Sequence, residues 1–233
     1  MSDTTTHIVF PIFDQVTHLD FTGPHQVFSY MPEARITVAS MGGRDIEARG
    51  FVFSGLADLS KIESCDVLCV PGGSGTTKAM LDEAFMGEIR RLASGARYLT
   101  SVCTGALILG AAGLLRGKRA TTHWAAHDLL ARLGATRDEG RVVRDGNVIT
   151  GGGVTAGIDF ALLAVAEIFG REVAESVELR MEYAPAPPFG VGRPDLAPAA
   201  LVTSTRETLK STVDANRGAI EQIVHSPLHA RKG

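Results

Sequence analysis

The chain has 233 residues, 45% hydrophobic and 21% charged, with 23 basic against 26 acidic side chains and a formal net charge of −3. That length buries a core for one α/β domain or two small ones, and the slightly acidic balance excludes a strong pull towards nucleic acid or an anionic membrane. No apolar run reaches the ~20 residues of a membrane-spanning helix, the polar start Met1-Ser-Asp-Thr-Thr-Thr6 lacks the order of a signal peptide, and three cysteines do not make a disulfide framework. A cytoplasmic, reduced protein is expected.

The elements alternate. Residues 7–13 (HIVFPIF) form a short apolar run suited to a buried strand. Residues 22–30 have helical character, with Pro24 acceptable only in a first turn. Strand candidates follow at 36–40 and 66–70, the second ending at Pro71-Gly-Gly-Ser-Gly75. Leu81, Phe85, Ile89 and Leu92 recur at helical spacing over 81–94. Residues 97–102 give way to a helix-like stretch over 104–115, and 119–124 read as a short strand running into a helix over 125–133. Residues 141–150 predict a hairpin turning at Asp145-Gly146, and Gly151-Gly-Gly153 opens a long apolar helix over 155–169. Prolines make 185–198 extended or loop, and 199–224 can form one helix that docks on the domain or on a second copy. Short apolar strands alternating with helices imply an α/β fold, its mostly parallel sheet covered on both faces.

Cys103 stands at the corner where the 97–102 strand meets the following helix. A sulfur there lies near the first free N–H groups of the helix, which favour thiolate over thiol, so the corner has the logic of a nucleophile elbow. Burial statistics alone would make it a structural cysteine. Pro71-Gly-Gly-Ser-Gly75 matches neither a phosphate loop nor a dinucleotide fingerprint. At the carboxyl edge of the sheet, Gly72 or Gly73 could join the N–H of Thr104 in an oxyanion-type pocket. Asp20 is a helix N-cap or an acid/base carboxyl facing the thiol, and spacing leaves both open. His123 is a base for Cys103 or a helix-start histidine beside Trp124. His123 and His127, four apart, lack a third ligand that stands out. Cys65 and Cys69, with no second pair, are read as core packing, so no metal is expected.

Ser101-Val-Cys-Thr-Gly105, Val70-Pro-Gly-Gly73 and Ala120-Thr-Thr-His-Trp124 resemble the DJ-1/PfpI superfamily. Leu19-Asp-Phe-Thr-Gly-Pro-His25, Tyr98 to Gly105, Gly110-Ala-Ala-Gly-Leu-Leu115, Gly151 to Phe160 and Glu182 to Phe189 narrow the resemblance to its isocyanide-hydrating branch. The first four are shared with amidase-like domains of AraC-type regulators, so the Tyr183-Ala-Pro-Ala-Pro-Pro-Phe189 segment is the more specific. The resemblance covers most of the chain to about residue 198. It implies a flavodoxin-like sandwich with Cys103 as nucleophile and Asp20 as its acid/base partner, where most of the superfamily has glutamate. It also implies that Thr104 turns its N–H and hydroxyl to the site, and that the protein is a homodimer with no metal or organic cofactor. The substrate expected is a small isocyanide, hydrated to an N-substituted formamide through a Cys103 thioimidate.

Residues 1–198 would then be the catalytic domain and 199–233 a helical extension. The competing readings are a PfpI-type cysteine hydrolase, which wants a histidine base, and a glyoxalase-like enzyme. An AraC-type sensor would need ~100 residues of helix-turn-helix after the domain, and only about 35 follow residue 198. Val154, Phe28 and Trp124 are candidates for the pocket wall or for the core.

Overall fold

The computed structural model describes residues 5–225. In chain order the elements are β1 (Thr6–Pro11), α1 (His18–Phe28), β2 (Ala34–Ser40), β3 (Ile46–Ala48), β4 (Phe51–Phe53), β5 (Ala57–Asp58), β6 (Val67–Val70), α2 (Thr76–Leu81), α3 (Glu83–Ala93), β7 (Tyr98–Val102) and α4 (Gly105–Ala111). There follow β8 (Arg119–Ala120), α5 (His127–Leu130), β9 (Thr136–Arg137), β10 (Val142–Asp145), β11 (Val148–Gly151), α6 (Ala156–Phe169), α7 (Arg171–Arg180) and α8 (Ala199–Val224).

Val67-Leu-Cys-Val70 is apolar without alternation, a pattern suited to a strand covered on both faces. Every residue of β6, β7 and β11 is buried. They lie together in a seven-stranded sheet of order β10-β11-β7-β6-β1-β2-β5, parallel except for the β10–β11 hairpin. Helices α1, α6 and α7 form one packed group, and α2, α4 and α8 another. This is the expected α/β sandwich, and among the described residues no helix is long and apolar enough to cross a membrane.

Two differences from the sequence reading have local causes. Helix α1 begins at His18, so Pro24 lies in its interior and Asp20 in its first turn, while Thr17 takes the cap position expected for Asp20. Pro24 leaves the Asp20 carbonyl without its helical donor. Gly157 of α6 makes room for the proline ring: a Cβ there would come 3.1 Å from Pro24 Cδ. Residues 76–94 form two helices, because Asp82 stops α2 and caps α3, accepting the N–H groups of Ala84 at 3.0 Å and Phe85 at 3.1 Å. Beyond the proline-rich segment, α8 has the expected bounds and packs on α2, α4 and the turns around Trp124 and Leu133. The rest of the expected extension, 226–233, lies outside the described residues.

Candidate active site

Strand β7 ends at Val102, and the backbone must turn at once for α4 to start behind it. Cys103 makes that turn at φ 54°, a left-handed conformation that a side chain adopts only when its surroundings impose it. They do so through the main chain. The Cys103 N–H donates to the carbonyls of Gly151 (3.1 Å) and Gly152 (2.8 Å), and the Cys103 carbonyl accepts the Thr122 hydroxyl at 2.8 Å. The side chain is 6% exposed.

The β6–α2 turn closes the other side. A Cβ on Gly72 would lie 2.5 Å from both the N and the Oγ1 of Thr104, so the turn presses its bare backbone against the start of α4. Gly72→Ala should therefore destabilise the fold by about 2 kcal/mol. A wild-type melting temperature in that variant would contradict the close approach. The Gly72 N–H donates to Asp20 Oδ2 at 3.0 Å, and the Gly73 N–H to Thr104 Oγ1 at 3.0 Å. Both amides are thus engaged by protein groups. Gly72 and Gly73, expected in an oxyanion-type pocket, here hold Asp20 and Thr104 in place.

Asp20 is 1% exposed, and its Oδ1 has no hydrogen-bond partner of good geometry among the described residues. Burial pushes its carboxyl up to about 7, with the Gly72 N–H and the Cys103 thiol pulling the other way. The Cys103 thiol is itself pushed well up, first by burial and then by the charge of Asp20, against the N–H and hydroxyl of Thr104, which favour thiolate. The expectation of a ready thiolate from the helix end alone is corrected: α4 has only seven residues and the sulfur is buried. Two acids in contact in a dry site do not both ionise, so the pair keeps at least one proton, and a thiolate forms when Asp20 carries it.

His123 caps the turn that follows it. Its Nδ1 accepts the Ala125 N–H at 3.3 Å, its ring lies 5.7 Å from that of Trp124, and burial pushes its pKa down. His127 points to Thr121 Oγ1 at 3.2 Å. Beside the elbow a cleft of about 470 Å³ is lined by Thr122, His123, Trp124, Gly152, Val154 and four arginines, with Cys103 and Asp20 outside its lining. Phe28 is fully buried between Phe10 and Phe160, so of the three wall candidates it belongs to the core. Cys65 and Cys69 are buried, and the Cys69 sulfur accepts the Thr100 hydroxyl at 2.9 Å.

A fully buried Thr76, whose hydroxyl lies 2.8 Å from that of Thr104, was not legible as a site residue. Its only signal is its place as the first residue after the glycine-rich turn.

A strained cysteine at the end of a central parallel strand, facing a buried carboxyl, places the molecule among the nucleophile-elbow α/β proteins. The chain belongs to the DJ-1/PfpI family, whose model matches residues 6–167. It is 50% identical to the isonitrile hydratase of Pseudomonas putida over 204 residues, 86% of this chain and 88% of that protein. A crystal structure of a ThiJ/PfpI family protein from Pseudomonas syringae superposes with a TM-score of 0.89 at 38% identity, covering 92% of this chain and 90% of that one. Drosophila melanogaster DJ-1beta, at 23% identity and a TM-score of 0.69 over 78% of this chain and 100% of that one, shares the fold.

Proposed function

We propose that this protein is an isocyanide hydratase, converting R–N≡C and water to the formamide R–NH–CHO. The observation that carries the reading is the buried pair of Cys103 and Asp20, its carboxyl held near neutrality, in a chain half identical to an isonitrile hydratase. Attack on an isocyanide carbon generates a carbanion that must be protonated at once, and a neutral carboxylic acid beside the thiolate suits that demand.

In the mechanism the Cys103 sulfur bonds to the terminal carbon while Asp20 delivers its proton to the same carbon, giving the thioimidate R–N=CH–S and a carboxylate. That carboxylate takes a proton from water as the water oxygen adds to the carbon, and passes it to nitrogen. The carbon–sulfur bond then breaks, the hydroxyl proton returns to Asp20, and the thiolate leaves. One water proton ends on nitrogen and the other replaces the one given to carbon. Thr104 holds the sulfur with its N–H and hydroxyl. The cleft beside the elbow would take the substituent R, with Trp124 and Val154 as walls. A PfpI-type hydrolase reading is disfavoured because His123, the histidine weighed as a base, is engaged in capping the following turn.

The test is to supply the purified protein with an aryl isocyanide and, separately, a peptide, and to follow formamide and cleavage. Peptide cleavage without formamide would overturn the assignment. Residues 1–198 are the catalytic domain in this reading, and the helix from 199 is an extension braced on it. A homodimer is also part of it, supported by Phe51 and Val52, 55% and 64% exposed on the β3–β4 hairpin beside His18 of α1. Phe51→Glu should convert a dimer to monomers in sedimentation equilibrium, and an unchanged dimer mass would remove the hairpin from the interface.

A further inference from the structure

The hydroxyl of Thr104 has one proton and two lone pairs, so its direction depends on who donates to it. The Gly73 N–H donates to Thr104 Oγ1 at 3.0 Å. The Thr76 hydroxyl lies 2.8 Å from the same oxygen and is 0% exposed. Among the described residues Thr76 Oγ1 has no other hydrogen-bond partner. A buried hydroxyl that keeps its proton unpaired carries a desolvation penalty, so the Thr76 proton goes to Thr104. Both lone pairs of Thr104 are then filled, and its own proton must leave in another direction. The Gly73 carbonyl, at 3.5 Å, is too distant for a good O–H···O bond. The acceptor left within the site is the sulfur of the adjacent Cys103, whose thiolate form the Thr104 hydroxyl and N–H both favour.

We infer that Thr76 is a positioning residue for the nucleophile: by donating to Thr104 it fixes the polarity of a hydroxyl relay, Thr76 to Thr104 to Cys103, that stabilises the thiolate. The relay runs along elements set side by side by the sheet. Thr76 opens α2, Thr104 precedes α4, and the two helices pack together. It also reaches α8, because the adjacent Thr77 hydroxyl donates at 2.7 Å to Oδ1 of Asn216, a residue only 1% exposed. The C-terminal helix therefore holds the first turn of α2 where Thr76 can serve. Among titratable groups, Asp20 on α1 is the one whose charge bears on the sulfur, and it acts from another element.

The inference rests on Cys103 being the nucleophile but not on which electrophile it meets, so the test uses alkylation of the protein thiol by iodoacetamide. Mass spectrometry assigns the label to Cys103, and its rate is followed from pH 5 to 10. Thr76→Val should slow alkylation of Cys103 at pH 7 by about tenfold and move the profile to higher pH, as loss of a hydrogen bond to an ionised group would. Thr76→Ser, which keeps the hydroxyl, should restore both. Thr104→Val should slow the reaction as much or more, and adding Thr76→Val to it should change nothing further. A Thr76→Val profile equal to wild type, or equal losses with Val and Ser, would overturn the relay; so would additive effects in the double variant. Formamide production is measured in parallel. Its absence from the wild type, with the relay intact, would refute the hydratase reading and leave this inference standing.

Discussion

Replacing Cys103 with alanine is expected to end formamide production, lowering turnover by at least about 10⁴-fold, the range seen when a covalent nucleophile is removed. The loss should not come with unfolding. Alanine keeps the Cβ at φ 54° and leaves the amide bonds to Gly151 and Gly152 intact. Cys103→Gly separates the two effects further. It removes the side chain from a left-handed backbone, so it should be as inactive as the alanine variant yet more stable than it by about 1 kcal/mol. Product NMR with an aryl isocyanide checks the first expectation, and urea melts check the second. A Cys103→Ala protein that still makes formamide at the wild-type rate would end the covalent mechanism.

Asp20→Asn should be nearly as damaging, because the carboxyl both gives and takes protons, and each role contributes about 100-fold or more. Its effect on stability runs the opposite way. The folded carboxyl titrates at about 7 against an ordinary 3.8, so the native state holds the proton more tightly than the unfolded chain. Such a group gives its full stability below pH 3.8 and loses it as pH rises through 7. The loss is on the order of 4 kcal/mol at most, from a separation of 7 minus 3.8 pH units. An asparagine accepts the same Gly72 N–H without ionising. Asp20→Asn should therefore equal or fall below wild type in stability at pH 4 and exceed it at pH 8, in denaturant melts at the two values. A variant less stable than wild type at pH 8 would show that the buried charge is better compensated than the geometry indicates.

What was legible in the sequence depended on pattern length. The bounds of α8 could be read because 26 residues without an internal proline leave little else to form. The hairpin at Asp145-Gly146 followed from a turn dipeptide between β-formers. Helix α7 escaped notice because Arg171-Glu-Val-Ala-Glu-Ser-Val-Glu-Leu-Arg180 has few apolar positions and buries only Ala174 and Val177. Strands β3 and β4, three residues each, are too short to carry a period. At the site, Cys103 announced itself by its corner, and Asp20 by the resemblance more than by its spacing. The engagement of the Gly72 and Gly73 amides could not be foreseen. It is a matter of which acceptor arrives within 3.0 Å, and those acceptors come from residues 31 and 52 positions away in the chain.

The place of β7 in the sheet has a consequence for how the molecule comes to exist. Its neighbours are β6, which precedes it, and β11, which follows it by more than forty residues. Asp20, the 72–76 turn, Cys103 and the carbonyls of Gly151 and Gly152 meet only when all three strands are paired. Parallel pairings over such separations close slowly, and a nascent chain that has emerged only through α4 has its cysteine but not the carbonyls that twist it. The thiol is then an ordinary one on an unfinished edge. The assembled catalytic corner in this chain waits for β11, and no fragment ending before β11 should turn over substrate.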